Sequence, residues 1–328
     1  MENSSMTLEE ATVLNNLEPG NQNVRIGDKL KFTLDMISPP GNVWFVSRNV
    51  LVSGNGNSWD QAFKTIGEAI AQVNEDYTNN VPPIRGRNSI IYVGEGWYGE
   101  VPLLITASDV TIIGLAPGSH DPVVLYGSAT PGGFDAGAGG PCLTIRGANC
   151  TFGNMGFFTS DPLYPSVRIG GNGSDAGLNG GVASGPTGSL FRNCAWVRDV
   201  NNGSLGGLDV VCNEGPDLIG CRFSTSCKDW GIRIRTNGVT NPVGVRIVDG
   251  RFVGTPIGVQ SLNGSETIVQ HNIFIDDMTD RAGAISTPIT NEGNNLIAIE
   301  NYWEFSDANA ITGNGDHLNI NNHTLAKT

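Results

Sequence analysis

The chain has 328 residues and a formal net charge of −13, with no run of Lys or Arg to offset it. Phosphate backbones need a basic face, so nucleic acid is not expected as a partner. Gly supplies 45 of 328 residues and charged residues only 16%, against roughly 7% and ~25% in an average domain, which points to one elongated, turn-rich, all-β body.

Residues 1–40 differ in character from the rest of the chain. The opening stretch MENSSMTLEEATVLNNLEPG has no basic region followed by an apolar one, so it does not read as a secretory signal. No apolar run in the chain approaches the ~20 residues of a membrane span, so no membrane partner is expected. The stretch VRIGDKLKFTLD sets Val24, Ile26, Leu30, Phe32 and Leu34 at even positions, with Gly27 and Asp28 breaking the run. SPPG (38–41) then punctuates the chain. Residues 1–40 are expected to be an arm or attachment segment.

Next comes SGNGNSWDQAFKTIGEAIAQV (53–73). Trp59, Phe63, Ile66, Ala69, Ile70 and Val73 recur at helical spacing, and Ser58 can cap the N-terminus with Asp60 close behind. The spacing predicts one helix over 58–74.

From there on the chain repeats itself. An apolar strand, then a small residue or Asn, then one residue, then an aromatic recurs at Gly156–Phe158, Cys194–Trp196, Cys221–Phe223, Gly250–Phe252, Asn272–Phe274 and Asn301–Trp303. The aromatics are 38, 27, 29, 22 and 29 residues apart. A second series, LTIRGAN, LDVVCNEG, IRIRTNG, IGVQSLNG and ISTPITNEG, consists of short alternating strands closed by Asn/Gly turns. Each period therefore holds at least two strands and two turns. Such a period stacks turn upon turn as parallel coils about 4.8 Å apart, with like side chains forming ladders. The Gly-rich stretches 131–141 and 170–189 are insertions at the turns. The polar, Asn-rich stretch 306–328 is expected to close the far end of a coil body spanning 41–305.

Two segments carry a resemblance to a known family. VSGNGNSWDQAFKTIGEAI (52–70), with Phe63, Thr65–Ile66 and Ala69–Ile70, resembles the opening sequence of the right-handed parallel β-helix, or pectin-lyase-like, superfamily. IIYVGEGWYGE (90–100) is similar to that superfamily's first coil. The resemblance runs over about residues 43–305 and implies an all-β, single-stranded right-handed parallel β-helix whose first coil is covered by a capping helix. The chain looks most like phage virion β-helix proteins, in which a short particle-binding segment precedes a helix-capped solenoid and which are commonly homotrimers.

Chemistry is harder to place. The six cysteines, Cys142, Cys150, Cys194, Cys212, Cys221 and Cys227, form no CxxC pair and no zinc spacing. They are expected to be buried thiols, with no metal and no cofactor. Enzymes on this fold use carboxylates with Arg or Lys on one long face. The candidates are Asp276 and Asp277 in FIDDMTDR, Asp249 and Arg251 one coil earlier, and Asp229 and Arg233 (with Arg235) in KDWGIRIRTNG. The Asn-Thr-Asp and Gly-His-Gly strings of polygalacturonases and the Arg-x-Pro-x-x-Arg string of pectate lyases are absent. His271 in IVQHNIF is a further acid/base candidate. Trp97, Tyr98 and Trp230 could stack on sugars if exposed.

The expected function is that of a structural protein of a virus particle of the tailed-phage kind. It would be a capsid-decorating, knob or spike-like β-helix, held to other virion proteins through residues 1–40, trimeric, and able to contact host glycans. The alternative is a polysaccharide lyase or hydrolase of the tailspike type. Convergence of Asp229, Asp249, Asp276 and Asp277 on one groove with Arg233 or Arg251 would favour the alternative. Their dispersal would favour the first.

Overall fold

The computed structural model describes residues 42–79, 88–115, 123–128, 139–159, 161–170, 188–196, 204–224, 227–236, 241–264, 266–275, 287–303 and 311–324. The arm at 1–40 lies outside them.

The described strands form three parallel sheets, and each coil contributes in turn to all three. Sheet A has ten strands. They are β1 (Val43–Val46), β2 (Ile90–Gly94), β5 (Thr111–Leu115), β8 (Thr151–Gly153), β11 (Leu190–Arg192), β14 (Asp217–Ile219), β17 (Arg246–Val248), β20 (Ile268–Gln270), β23 (Leu296–Ile299) and β26 (His317–Ile320). Sheet B stacks β3 (Trp97–Glu100), β6 (Val123–Gly127), β9 (Met155–Thr159), β12 (Ala195–Trp196), β15 (Arg222–Phe223), β18 (Arg251–Val253), β21 (Ile273–Ile275), β24 (Tyr302–Trp303) and β27 (His323–Thr324). Sheet C stacks β4 (Leu103–Ile105), β7 (Leu143–Ile145), β10 (Pro165–Gly170), β13 (Ser204–Val211), β16 (Cys227–Ile234), β19 (Ile257–Ser261), β22 (Thr287–Asn291) and β25 (Ile311–Thr312). This is a parallel β-helix.

From Cys194 onward the repeated sequence pattern becomes columns that run along the solenoid; in the coil before, Phe157 and not Phe158 pairs with Trp196, and Phe158 lies in the outer cluster with Val124 and Tyr126. Trp196, Phe223, Phe252 and Phe274 stack with ring centroids 4.2, 4.8 and 4.7 Å apart and planes within 13°. Sheet C makes room for them with a column of glycines. A Cβ on Gly207, Gly231 or Gly258 would come within 2.8, 3.0 and 2.6 Å of the rings of Phe223, Phe252 and Phe274. The small residue before each aromatic forms the next column, where Cys194, Cys221, Asn272 and Asn301 are all buried. Asn272 N donates to Asn301 Oδ1 (2.9 Å) and Asn301 N to Asn322 Oδ1 (2.7 Å), so each amide serves the coil before it. The residue ahead of that column turns the corner in the left-handed region: Asn193, Gly220, Asp249, His271, Glu300 and Asn321 have φ between 48° and 64°.

The predicted single helix is two elements. Trp59–Gln61 is one 3-10 turn, and α1 (Ile66–Asn79) begins only after a break. Within the break, Phe63 bridges Val46 like a strand residue. Ser58 makes no side-chain cap. The cap is Thr65, in a reciprocal box with Glu68: Glu68 N donates to Thr65 Oγ1 (3.2 Å) and Thr65 N to Glu68 Oε2 (3.0 Å). Ile66, Ala69, Ile70 and Val73 join the main core and close the first coil. Trp59 does not share that face. It packs edge-on against Phe45 (4.9 Å) on the outside of sheet A, with Ala62 and Tyr92. One short stretch thus covers two surfaces, the end of the core and the flank of the first coils.

At the other end the ladders continue past residue 305, through β25, β26 and β27. The inward column that holds Leu296 and Ala298 passes to His317 and Asn319 in this coil. Among the described residues, polar side chains there end the apolar core.

Candidate functional site

The outward column of sheet C is polar almost throughout. Register places Thr144, Arg168, Asp209, Arg233, Gln260, Thr290 and Thr312 on successive coils, flanked on each strand but the last by buried residues. At the ~4.8 Å coil spacing the column spans roughly 30 Å. Its middle lies on β13 and β16, the longest strands of the sheet.

Asp209 is fully buried there and is held by three arginines. Its Oδ1 accepts from Arg233 Nε (3.1 Å) and Arg235 Nε (2.9 Å), and its Oδ2 from Arg235 Nη2 (2.7 Å) and Arg168 Nε (3.3 Å). Burial alone would raise the Asp209 pKa. The hydrogen bond from Arg235 and the charge of Arg233 outweigh it and hold the carboxyl below its usual value. The cluster carries three positive charges against one negative charge. Arg168 and Arg233 reach Asp209 through Nε, which leaves their terminal nitrogens uncommitted to it. The three side chains are 15–22% exposed. Asp209 is therefore a pin that fixes the guanidinium planes, and the exposed edges of the arginines offer hydrogen-bond donors to an anion.

Trp230 supports the cluster. The Arg233 guanidinium lies 4.3 Å from its ring centroid. The ring lies over Gly206, where a Cβ would meet it at 2.3 Å. Trp230 is only 2% exposed, so it positions Arg233 and offers no face to a sugar.

The other predicted residues do not converge. Arg233 is in the cluster, and Asp229 is exposed at the start of the same strand. Asp249 sits at the corner between sheets A and B, 3.5 Å from His271, whose Nε2 is 2.7 Å from Glu300. Arg251 is exposed on sheet B beside Arg222. Asp276 and Asp277 lie outside the described residues. Tyr98 is buried; its hydroxyl donates to Gly94 O (2.9 Å) and accepts from Arg48 N (3.3 Å), which closes it to stacking. Trp97 packs on the outer cluster of Val124, Tyr126 and Phe158. All six cysteines are buried thiols. Among the described residues no group of three or more His, Cys, Asp or Glu side chains could hold a metal ion.

Sequence reasoning missed Arg168 and Asp209. The available signal was a charged residue at the middle of three short apolar strands, VRI, LDV and IRI. Each alone reads as an ordinary outward residue.

A second buried acid lies at the lid. Glu100, at the end of β3, accepts a hydrogen bond from Ile66 N (2.8 Å) at the first turn of α1. Burial pushes its pKa up to about 7, against the pull of the backbone N–H groups of Ile66 and Gly67.

No family model and no curated protein matches the chain. Several solved structures do. A mannuronic acid specific polysaccharide family 6 lyase from human gut microbiota is 12% identical over 79% of this chain and 57% of its own, with a TM-score of 0.46. This chain thus spans little more than half of that protein. An alginate lyase from a Paenibacillus species is 14% identical over 78% and 93% of the two chains (TM-score 0.40). A pectin methylesterase variant in complex with a hexasaccharide is 11% identical over 89% and 91% (TM-score 0.37). At such identities and scores these likenesses carry no argument about chemistry, and the β-helix is read from the strand ladders themselves.

Proposed function

We propose that the chain binds an acidic polysaccharide along the outward column of sheet C, with a carboxylate or sulfate of the polymer on Arg168, Arg233 and Arg235. One observation carries this reading. A cationic centre pinned by a buried Asp209 is continued in both directions by hydroxyl and amide side chains in register. A compact anion would need only the arginines. A repeating, hydroxyl-rich polymer also uses Thr144, Gln260, Thr290 and Thr312.

The described residues supply binding. Cleavage would also need a proton acceptor beside the bound sugar. Arginine stays protonated in proteins, and Asp209 is buried with both oxygens engaged. A lyase or hydrolase activity would draw on residues such as Asp276 and Asp277, outside the described set. The particle-borne setting, a knob or spike held through residues 1–40, is supported by the sequence of that segment.

The test is calorimetric titration with a polyuronate, a sulfated glycan and a neutral glucan, together with an assay for new reducing ends. Binding of an acidic polymer is expected to weaken about tenfold for each of Arg168→Gln and Arg233→Gln and to fall as salt rises. Equal affinity for the neutral glucan, or indifference to both substitutions, would overturn the reading. New reducing ends would assign the enzyme role on the same surface.

A further inference from the structure

Sheet A has an outer face that the chain covers at only one end, among the described residues. On β1 and β2 the outward residues Phe45 and Tyr92 are buried under Trp59 and Ala62. From β5 to β26 the equivalent positions are half-exposed or exposed, with Ile113 and Leu115 on β5 packed against the edge of the covered cluster. Ile268, Ile297 and Ile299 are half-exposed, and Leu318 is 54% exposed. No register shift interrupts the strand pairs of this sheet, so the outward side chains form two straight columns.

The open stretch contains eight strands, and its centre falls between β14 and β17. At that centre, on one column, sit Asp217 and Arg246. Their mutual contact is long (3.5 Å) and exposed on both sides. An acid and a base on either side of a midpoint form a self-complementary pair: under a two-fold axis each meets the other's counterpart.

We propose that this face is a homodimer interface, formed with a second copy of the chain across a two-fold axis parallel to the strands and centred between β14 and β17. The operation pairs strands symmetrically about the centre. Asp217 of each copy meets Arg246 of the other. Leu190 meets Ile268, and Ile219 meets Val248. Gly153, which leaves a dip in its column, receives Ile299. Strand directions stay aligned across the interface, as in face-to-face sheets.

Area and charge both fit this occupant. Eight strands at ~4.8 Å and two outward columns roughly 7 Å apart give roughly 500 Å² per copy with side-chain margins. Two copies bury about 1,000 Å², the level that a biological interface has to clear and below the range of the large stable ones. The face carries Arg192, Arg246 and Asp217 among aliphatics and the uncharged Thr111, Thr151, Gly153 and Gln270, so two copies of a chain of net charge −13 can meet on it without facing acidic surfaces. The dimer leaves sheet C open.

Sedimentation equilibrium on the full chain tests this. The expected species has twice the 34.6 kDa chain mass. Asp217→Arg sets two arginines against each other on both sides of the axis and should raise the dissociation constant about tenfold or more. Asp217→Arg combined with Arg246→Asp should restore it, and Ile268→Lys should give a folded monomer, as checked by circular dichroism. A wild-type monomer at every loading, a trimer, or a double variant no tighter than the single one would overturn the proposal.

Discussion

Glu100 makes the stability of the lid depend on pH, and Glu100→Gln should remove that dependence. The side chain is 4% exposed and bonded to the N-terminal turn of α1. Its pKa is raised from 4.5 to about 7, because burial disfavours the carboxylate more than the helix N–H groups favour it; the charge of Glu68 adds to the rise. The folded state therefore holds this proton more tightly than the unfolded chain. The stabilisation is fully present below pH 4.5 and is lost as pH rises through 7. The interval between those values corresponds to about 3 kcal/mol. Glutamine keeps an acceptor for Ile66 N and never ionises. The variant should match the wild type at pH 4.5 and exceed it by about 3 kcal/mol at pH 8. Urea unfolding at both pH values, followed by the fluorescence of Trp44 and Trp59 beside the lid, measures the difference. An equal effect at both pH values, or a variant weaker than the wild type at pH 8, would refute the reasoning.

Two further outcomes are expected from the packing. Asp209→Asn removes the charge that three arginines share and should cost about 3 kcal/mol or more in urea unfolding at pH 7, since one partner of a buried ionic cluster is lost; a loss below about 1 kcal/mol would show that the arginines are held by other groups. Gly231→Ala inserts a Cβ 2.8 Å from Gly258 O and 3.0 Å from the Phe252 ring. It should cost about 1–3 kcal/mol through displacement of the aromatic column, read from the same unfolding curves, and a neutral result would mean that the column has slack.

How much of this was legible in the sequence depends on the distance between partners. The solenoid was, because its aromatics and its Asn or small-residue corners recur whatever the loop length. The corner residues could be seen as a pattern, though not why Asp249, His271 and Glu300 occupy a left-handed position that favours Asn or Gly. The start of the lid was not legible. Trp59 and Phe63 fit a helical period, yet Phe45 and Val46 on β1 draw them onto a strand flank, and that competition is tertiary. The site was the least legible part. Arg168 and Asp209 are 41 residues apart in sequence and become neighbours only because β10 and β13 pair in register. The Asp-rich string at 276–280 stands out by composition alone. Asp209, a single carboxylate in an apolar strand, gave no local sign that three arginines would meet on it.

The columns also govern how such a chain can change in evolution. Successive aromatics of the stack are 22 residues apart in one coil and 29 in another, yet consecutive rings from Trp196 to Phe274 stay 4.2–4.8 Å apart. Length is absorbed outside, at the turns, and never reaches the stack. Insertions between strands are therefore cheap trials for new surface. A deletion inside a coil must either remove the whole coil or break the amide relay from Asn272 through Asn301 to Asn322. Such a protein should vary in whole coils and in free loops, with little in between.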